Sequence, residues 1–314
     1  MRDITNKSTT LRTAKAQAIV LCDAATIELI REKKIPKGDV LEYARAAGYL
    51  GAKQTPNLIP HCHPVRIDSF QFDFEFLTKE NYKQFVSEKS FRSGIVITGE
   101  AKCVDRTGIE MEALTGVSIV ALTLYDTLKP LDSHLEISGI RLLEKTGGKS
   151  DKKYFTETPT CAVLVCSDFT HQGKRKDESG KLAQQLLEQY QAKIVDYKIV
   201  PDKKAAIQKQ IRAWVKKDVH FIFTTGGTGF GPHDCTVEAV KPLLDTEADG
   251  VVEAMRAYGQ QRTPFAMMSR AIAGTIKQTT VVTLPGSVNG VRECLNAILP
   301  AVFHARAILL GGGH

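Results

Sequence analysis

The sequence predicts two domains of different class: an α+β unit with an antiparallel sheet over residues 1–150, and a three-layer α/β unit with a mostly parallel sheet over residues 160–314. Three observations predict this. First, 314 residues exceed the size at which one hydrophobic core usually stops growing. Second, the segment TGGKSDKKYFTETPT at 146–160 interrupts the apolar periodicity with Gly, Lys, Ser, Thr and Pro, which marks a linker at 151–159. Third, the two sides differ in grammar: elements alternate irregularly before the linker, and strand–helix order repeats after it.

In the first half, Asp23 caps a predicted helix over 24–33. Asp39 caps another through Val40, Ala44, Ala47 and Ala52, rich enough in Ala and Gly to pack closely on a neighbour. Phe70, Phe72, Phe74 and Phe76 alternate with polar residues as in a half-buried strand. Val65 and Ile67 are out of phase with them, so a bulge is expected near Asp68. A strand at 94–104, a long helix at 111–128 and a strand at 135–143 follow. In the second half, strands are predicted at 161–166, 193–200, 219–224 and 280–284. Helices are predicted at 178–190, 203–217, 236–244 and 291–309. Such alternation buries a parallel sheet under helices on both faces, and ligands bind beyond the carboxyl ends of its strands.

The composition is that of a folded chain, 43% hydrophobic and 25% charged. A net charge of +7 suits phosphate-bearing small molecules, but the basic residues form no long run and only 7% of residues are aromatic, so nucleic acid is not the expected partner. Seven widely spaced cysteines without a C-x-x-C predict reduced structural thiols rather than a disulfide framework. The amino terminus lacks a signal-peptide core, and no stretch reads as a bilayer span. A cytoplasmic protein without a membrane partner is expected.

Three polar turns follow apolar strands of the second half: Ser167-Asp168, Thr224 through Gly229 (TTGGTG), and Pro285-Gly286-Ser287. The TTGGTG turn offers unshielded backbone N–H groups suited to phosphate oxygens. Asp234 lies just beyond it, where it is either a helix cap or an acid that shares a divalent cation with the phosphate. VCSD, KDESG, IVPD, TTGGTGFGPHD-x-T-x-EA, TPFAMMSRA-x-AG and LPGS together resemble the molybdopterin adenylyltransferases and their MoaB/MogA relatives over about 160–309. The resemblance implies AMP transfer from ATP to molybdopterin with Mg2+. It makes Asp202 and Asp234 the catalytic and metal-holding acids and assigns phosphate contacts to Gly227, Thr228, Gly229 and Ser287. Pterin-side contacts fall near Ser167, Asp168, Asp177 and Ser269. Cys235 and Val237 depart from the usual D-V-T-P-E-A. A module that binds molybdopterin without adenylylating it is the alternative.

Four elements stand out in the first half: the LIPHCHP turn at 58–64, Glu110 and Glu112 opening a helix, Asp126 and Lys129 at i, i+3, and KTGGK at 145–149. Individually these read as a turn, acids offsetting a helix dipole, a surface ion pair and a terminal loop. The two imidazoles at i, i+2 lack a second ligand cluster, so zinc is not expected. Together, KGDVL-x-x-AR-x-AG, AK-x-T-x-x-LIP-x-CHP, TG-x-EMEALT, ALT-x-YD-x-x-K and RLLEK-x-GGKS resemble the cyclic pyranopterin monophosphate synthases of the MoaC family over essentially 1–150. That resemblance implies a ferredoxin-like fold and a homo-oligomer, hexameric or trimer-based, with sites at a dimer interface. The implied reaction turns a cyclised dihydro-GTP into cyclic pyranopterin monophosphate and pyrophosphate, with no cofactor. By carry-over, Lys129 is the general acid/base with a depressed pKa and Asp126 is its partner. Lys37, Lys53, His63, Lys145 and Arg12 hold the triphosphate, and Glu110 and Glu112 take the guanine-derived edge.

Overall fold

The computed structural model of the chain describes residues 1–86, 90–148 and 157–312. Two compact units result, Met1–Asp151 and Lys152–His314. Of the expected linker, 151–156 lie outside the described residues. Residues 157–159 belong to the second unit: Glu157 pairs with Arg306 at 3.1 Å, and the Pro159 carbonyl accepts from Lys193 N at 2.8 Å.

In the first unit the chain runs β1 (Thr10–Leu21), α1 (Ala24–Arg31), α2 (Val40–Leu58), β2 (Ser69–Phe76), the short α3 (Tyr82–Phe85), β3 (Gly94–Asp105), α4 (Glu110–Leu128) and β4 (Glu136–Thr146). The four strands pair antiparallel throughout, in the order β2-β3-β1-β4. The central strand β1 went unread in the sequence. Its core-facing positions Ala14, Ala16 and Ala18 are small and have weak strand preference, so the alternation carries little hydrophobic signal. They are small because α4 lies across them, and Val117, Val120, Ala121 and Leu124 close the same core. The expected close helix contact is present: a Cβ on Gly48 would meet Val120 Cγ2 at 2.4 Å, and one on Gly51 would meet Ile119 Cγ1 at 2.5 Å.

The bulge expected near Asp68 is absent. β2 starts at Ser69 and pairs with β3 without a shift, and Val65 and Ile67 precede the strand as loop residues packed on the core. The register shifts instead where β1 meets β4. The sequence reading of no membrane-length apolar stretch also needs correction, since α4 meets that criterion by length and composition. Its buried face nonetheless lies within the core of the unit, which is where its hydrophobicity is used.

The second unit runs β5 (Thr160–Cys166), α5 (Asp168–His171), α6 (Ser179–Gln189), β6 (Lys193–Val200), α7 (Lys204–Lys216), β7 (Phe221–Thr225), α8 (Thr236–Val240), β8 (Thr246–Glu247), α9 (Asp249–Gln260), β9 (Ala273–Ile276), β10 (Thr279–Leu284), α10 (Val288–Ile298) and α11 (His304–Leu309). Its sheet has the order β6-β5-β7-β10-β9-β8, parallel from β6 to β10, with β9 and β8 antiparallel at the edge. One face buries Val163, Phe221, Phe223 and Leu284 under α6, α9 and α10. The other buries Leu164, Ile222 and Val281 under α7 and α8. The helix expected over 291–309 is broken, because Pro300 lacks an N–H and drives Leu299 into extended backbone at ψ 143°. Pro242 likewise tightens the end of the 236–244 helix into a 3-10 turn over Lys241–Leu243. All seven cysteines are free, and five of them are buried.

Candidate functional sites

In the second unit the polar turns gather at the carboxyl ends of β5, β6, β7 and β10. The turn after β7 is built so that its carbonyls point away and its amides stay open. Gly226 and Gly227 take left-handed φ values of 95° and 64°, and a Cβ at either would strike Cys166 O or Thr236 Oγ1. Thr236 Oγ1 donates to Gly226 O at 2.8 Å, and Thr236 N donates to Gly227 O at 3.0 Å. Arg270 takes the next two carbonyls, its N donating to Thr228 O at 3.0 Å and its Nε to Gly229 O at 2.7 Å. The N–H groups of Gly227, Thr228 and Gly229 meet no acceptor among the described residues. Such a run of open amides is an anion-binding concavity. The sequence reading found the glycines but missed Thr236 and Arg270, although both stand in the motifs that carry the resemblance.

Three acids adjoin this loop. Asp168 and Asp202 bond reciprocally: Asp168 N donates to Asp202 Oδ2 at 3.0 Å, and Asp202 N donates to Asp168 Oδ1 at 3.1 Å. Burial raises the Asp202 carboxyl above its ordinary value, and the charges of Asp168 and Asp234 push the same way. Asp202 Oδ1 is buried with no hydrogen-bond partner among the described residues. Asp234 accepts from Gly231 N at 2.7 Å. An orphaned carboxylate oxygen among repelling acids is the chemistry a hard divalent cation relieves, so these residues fit Mg2+. They do not converge as a three-ligand set. Among the described residues that arrangement belongs to Asp23, Asp132 and His134, within 4.8 Å, and there the Asp132 oxygens already accept from Asp23 N, Thr26 Oγ1 and His134 N.

The remaining predicted contacts divide between two cavities that share Gly286 and Ser287. Ser167, Asp177, Asp202 and Gly227 line one of about 300 Å3, with Arg175 and Lys176 as its cations. Thr228, Gly229 and Ser269 line the other, of about 600 Å3, whose walls include Met255, Phe265 and Met268. Ser269 therefore stands apart from the other pterin-side residues. Ser167 and Ser287 also cap α5 and α10. Gly180 of KDESG is required because a Cβ would lie 2.5 Å from both Asp177 Oδ2 and Tyr197 Oη.

In the first unit the predicted residues fall into two groups at opposite ends of α4. At its carboxyl end Lys129 Nζ bonds Asp126 Oδ1 at 2.6 Å, and Lys37 is close enough for its charge to act on Asp126. At the amino end Lys145 Nζ lies 3.3 Å from Glu110 Oε1, and the charge of Glu112 reaches Cys62, the neighbour of His63 in sequence. Lys53 is exposed on α2, beyond the Gly51 contact toward this same end. At 1.5 Å per residue, Glu112 and Lys129 are about 25 Å apart along the helix. One chain does not bring these groups together.

Two expected properties need correction. Lys129 is exposed within the single chain, and its hydrogen bond to Asp126 raises its pKa rather than depressing it. Arg12, expected on the triphosphate, donates instead to the carbonyls of Asp105, Arg106 and Gly147, clamping three strand ends.

Glu112 is 2% exposed, and burial, with Glu110 and Asp105 nearby, pushes its carboxyl from the ordinary 4.5 to about 7. The folded state thus holds a proton that the unfolded chain has released, and stability from this group falls as pH rises from 4.5 through 7. Glu112→Gln, which cannot ionise, is expected to melt progressively above wild type across that window; parallel melting curves in a pH series would refute it.

The comparisons agree with this division. A family model described as the MoaC family matches residues 1–148, and one described as "Probable molybdopterin binding domain" matches residues 162–304. The molybdenum cofactor biosynthesis bifunctional protein of Chlorobaculum tepidum is 38% identical over 315 residues, spanning 100% of this chain and 96% of that protein. The protein of the same name from Synechococcus elongatus is 34% identical over 326 residues, spanning 100% of this chain and 98% of that one. The cyclic pyranopterin monophosphate synthase of Clostridium perfringens is 46% identical over 155 residues, 49% of this chain and 90% of that enzyme. With both halves matched in order and full-length relatives above 30% identity, the chain belongs to the family of molybdenum cofactor biosynthesis bifunctional proteins.

Proposed function

We propose that the second unit transfers AMP from ATP to molybdopterin, and that the first converts a cyclised dihydro-GTP to cyclic pyranopterin monophosphate with loss of pyrophosphate. The observation that carries the first of these is the loop at 226–229, whose carbonyls are all engaged while three amides stay open beside Asp168, Asp202 and Asp234. In the transfer, open amides hold phosphate oxygens, and Arg175 and Lys176 balance triphosphate charge. Asp202 and Asp234 would hold Mg2+, which when bound neutralises charge on the phosphates. The apolar cavity is suited to a flat heteroaromatic ring.

For the first unit the reading is a site closed between copies. The Lys129 end of one α4 would meet the Glu112 end of another, in a hexameric or trimer-based assembly. Tyr43, Leu50, Leu122 and Tyr125 on α2 and α4 are exposed apolar residues available for such a contact. Lys37, Lys53 and Lys145 would lie near Lys129 there and gather positive charge for the triphosphate, with Lys129 and Asp126 placed to exchange the proton. We also read this unit as ferredoxin-like, which its β-α-β-β-α-β order and β2-β3-β1-β4 sheet support.

The test uses the full chain. With molybdopterin, ATP and Mg2+ it is expected to release one pyrophosphate per adenylylated product; molybdopterin binding without pyrophosphate would leave a binding module. With the cyclised dihydro-GTP alone, pyrophosphate and the pyranopterin are expected together.

A further inference from the structure

We propose that Arg270 is a positioning residue that holds the segment 229–234, and with it the Asp234 carboxylate, against the phosphate loop. This rests on the nucleotide reading of that loop. Arg270 lines neither cavity, yet its donors converge on one segment. Besides the bonds from N to Thr228 O and Nε to Gly229 O, Nη2 donates to Asp234 O at 3.4 Å and Nη1 pairs with Glu238 on α8. Its guanidinium also sits 5.9 Å from the Phe230 ring centroid.

The side chain therefore spans the loop from Gly229 to the first turn of α8. The carbonyl and N–H of one peptide unit belong to consecutive residues, so the Gly226, Gly227 and Thr228 carbonyls, held by Thr236 and by Arg270 N, orient the open amides. The guanidinium on Gly229 O and Asp234 O fixes the segment that carries Asp234. Losing the guanidinium would free the Gly229 and Asp234 carbonyls to turn and would leave Glu238, whose Oε2 is already buried without a partner among the described residues, with a second unmatched oxygen. Lysine cannot substitute, because one ammonium does not reproduce a planar fork aimed at separated acceptors. The predicted defect is specific: Asp234 loosened beside the phosphate loop, with the loop amides and the cavities intact.

Titration of full-length wild type, Arg270→Lys, Arg270→Ala and Glu238→Gln with Mg2+–pyrophosphate and with Mg2+–ATP tests this. Both Arg270 variants are expected to bind these probes roughly tenfold or more weakly, with the KM for ATP rising while that for molybdopterin holds. Free guanidinium should restore part of the affinity of Arg270→Ala, which a general folding defect would not allow. Glu238→Gln, which keeps an acceptor for Arg270, should lose less. Wild-type binding with unchanged Arg270→Lys affinity overturns the positioning role alone. Absence of wild-type binding to either probe overturns the nucleotide reading and this inference together.

Discussion

Lys129→Ala is expected to lower pyranopterin formation by about a thousandfold, the scale of a lost general acid/base. The larger result comes from mixing. The Lys129 group and the Glu112 group stand at opposite ends of α4, so a site built from both takes one group from each of two copies. Lys129→Ala and Glu112→Gln, each nearly inactive alone, should then complement one another. A heterodimer holds one doubly damaged site and one intact site, so random reassembly restores about a quarter of wild-type turnover. Equal residual activity before and after mixing would put both groups in the same chain's site, against the separation seen here.

Asp202→Asn is expected to move activity and stability in opposite directions. The amide oxygen preserves the acceptor for Asp168 N, so the strand-end geometry stays. The charge is lost, and AMP transfer should fall by about a hundredfold or more, as when a preorganised electrostatic group is deleted. Because burial and two neighbouring acids raise the Asp202 carboxyl, its ionised form is a net strain on the fold at neutral pH. The second unit should therefore melt higher as the asparagine variant. Undiminished transfer would remove Asp202 from the machinery, and a lower melting temperature would contradict the reading of its environment.

Much of this was legible in the sequence where hydrophobic period and turn chemistry agree. The strand predicted at 193–200 coincides with β6, and the TTGGTG turn lies at a strand's carboxyl end. What escaped did so for physical reasons. β1 presents alanines to its core because a helix crosses it closely, and small residues leave no periodic signature. β8 and β9 are two and four residues long, too short for a period to register. Arg270 lies more than thirty positions from the carbonyls and the carboxylate it binds, which only the fold joins. The division of Lys129 from Glu112 was hidden for the converse reason: motifs adjacent in a family pattern carry no information about which copy supplies each residue.

The engaged carbonyls of the 226–229 loop have one more consequence. Backbone amides do not titrate, and a guanidinium keeps its charge throughout the physiological range. The loop amides themselves should thus hold an anion with little dependence on acidity, whereas Glu112 in the first unit changes protonation close to neutrality. One polypeptide then pairs an anion cradle made of groups that do not titrate with a buried carboxyl, in its other unit, that does so near neutrality.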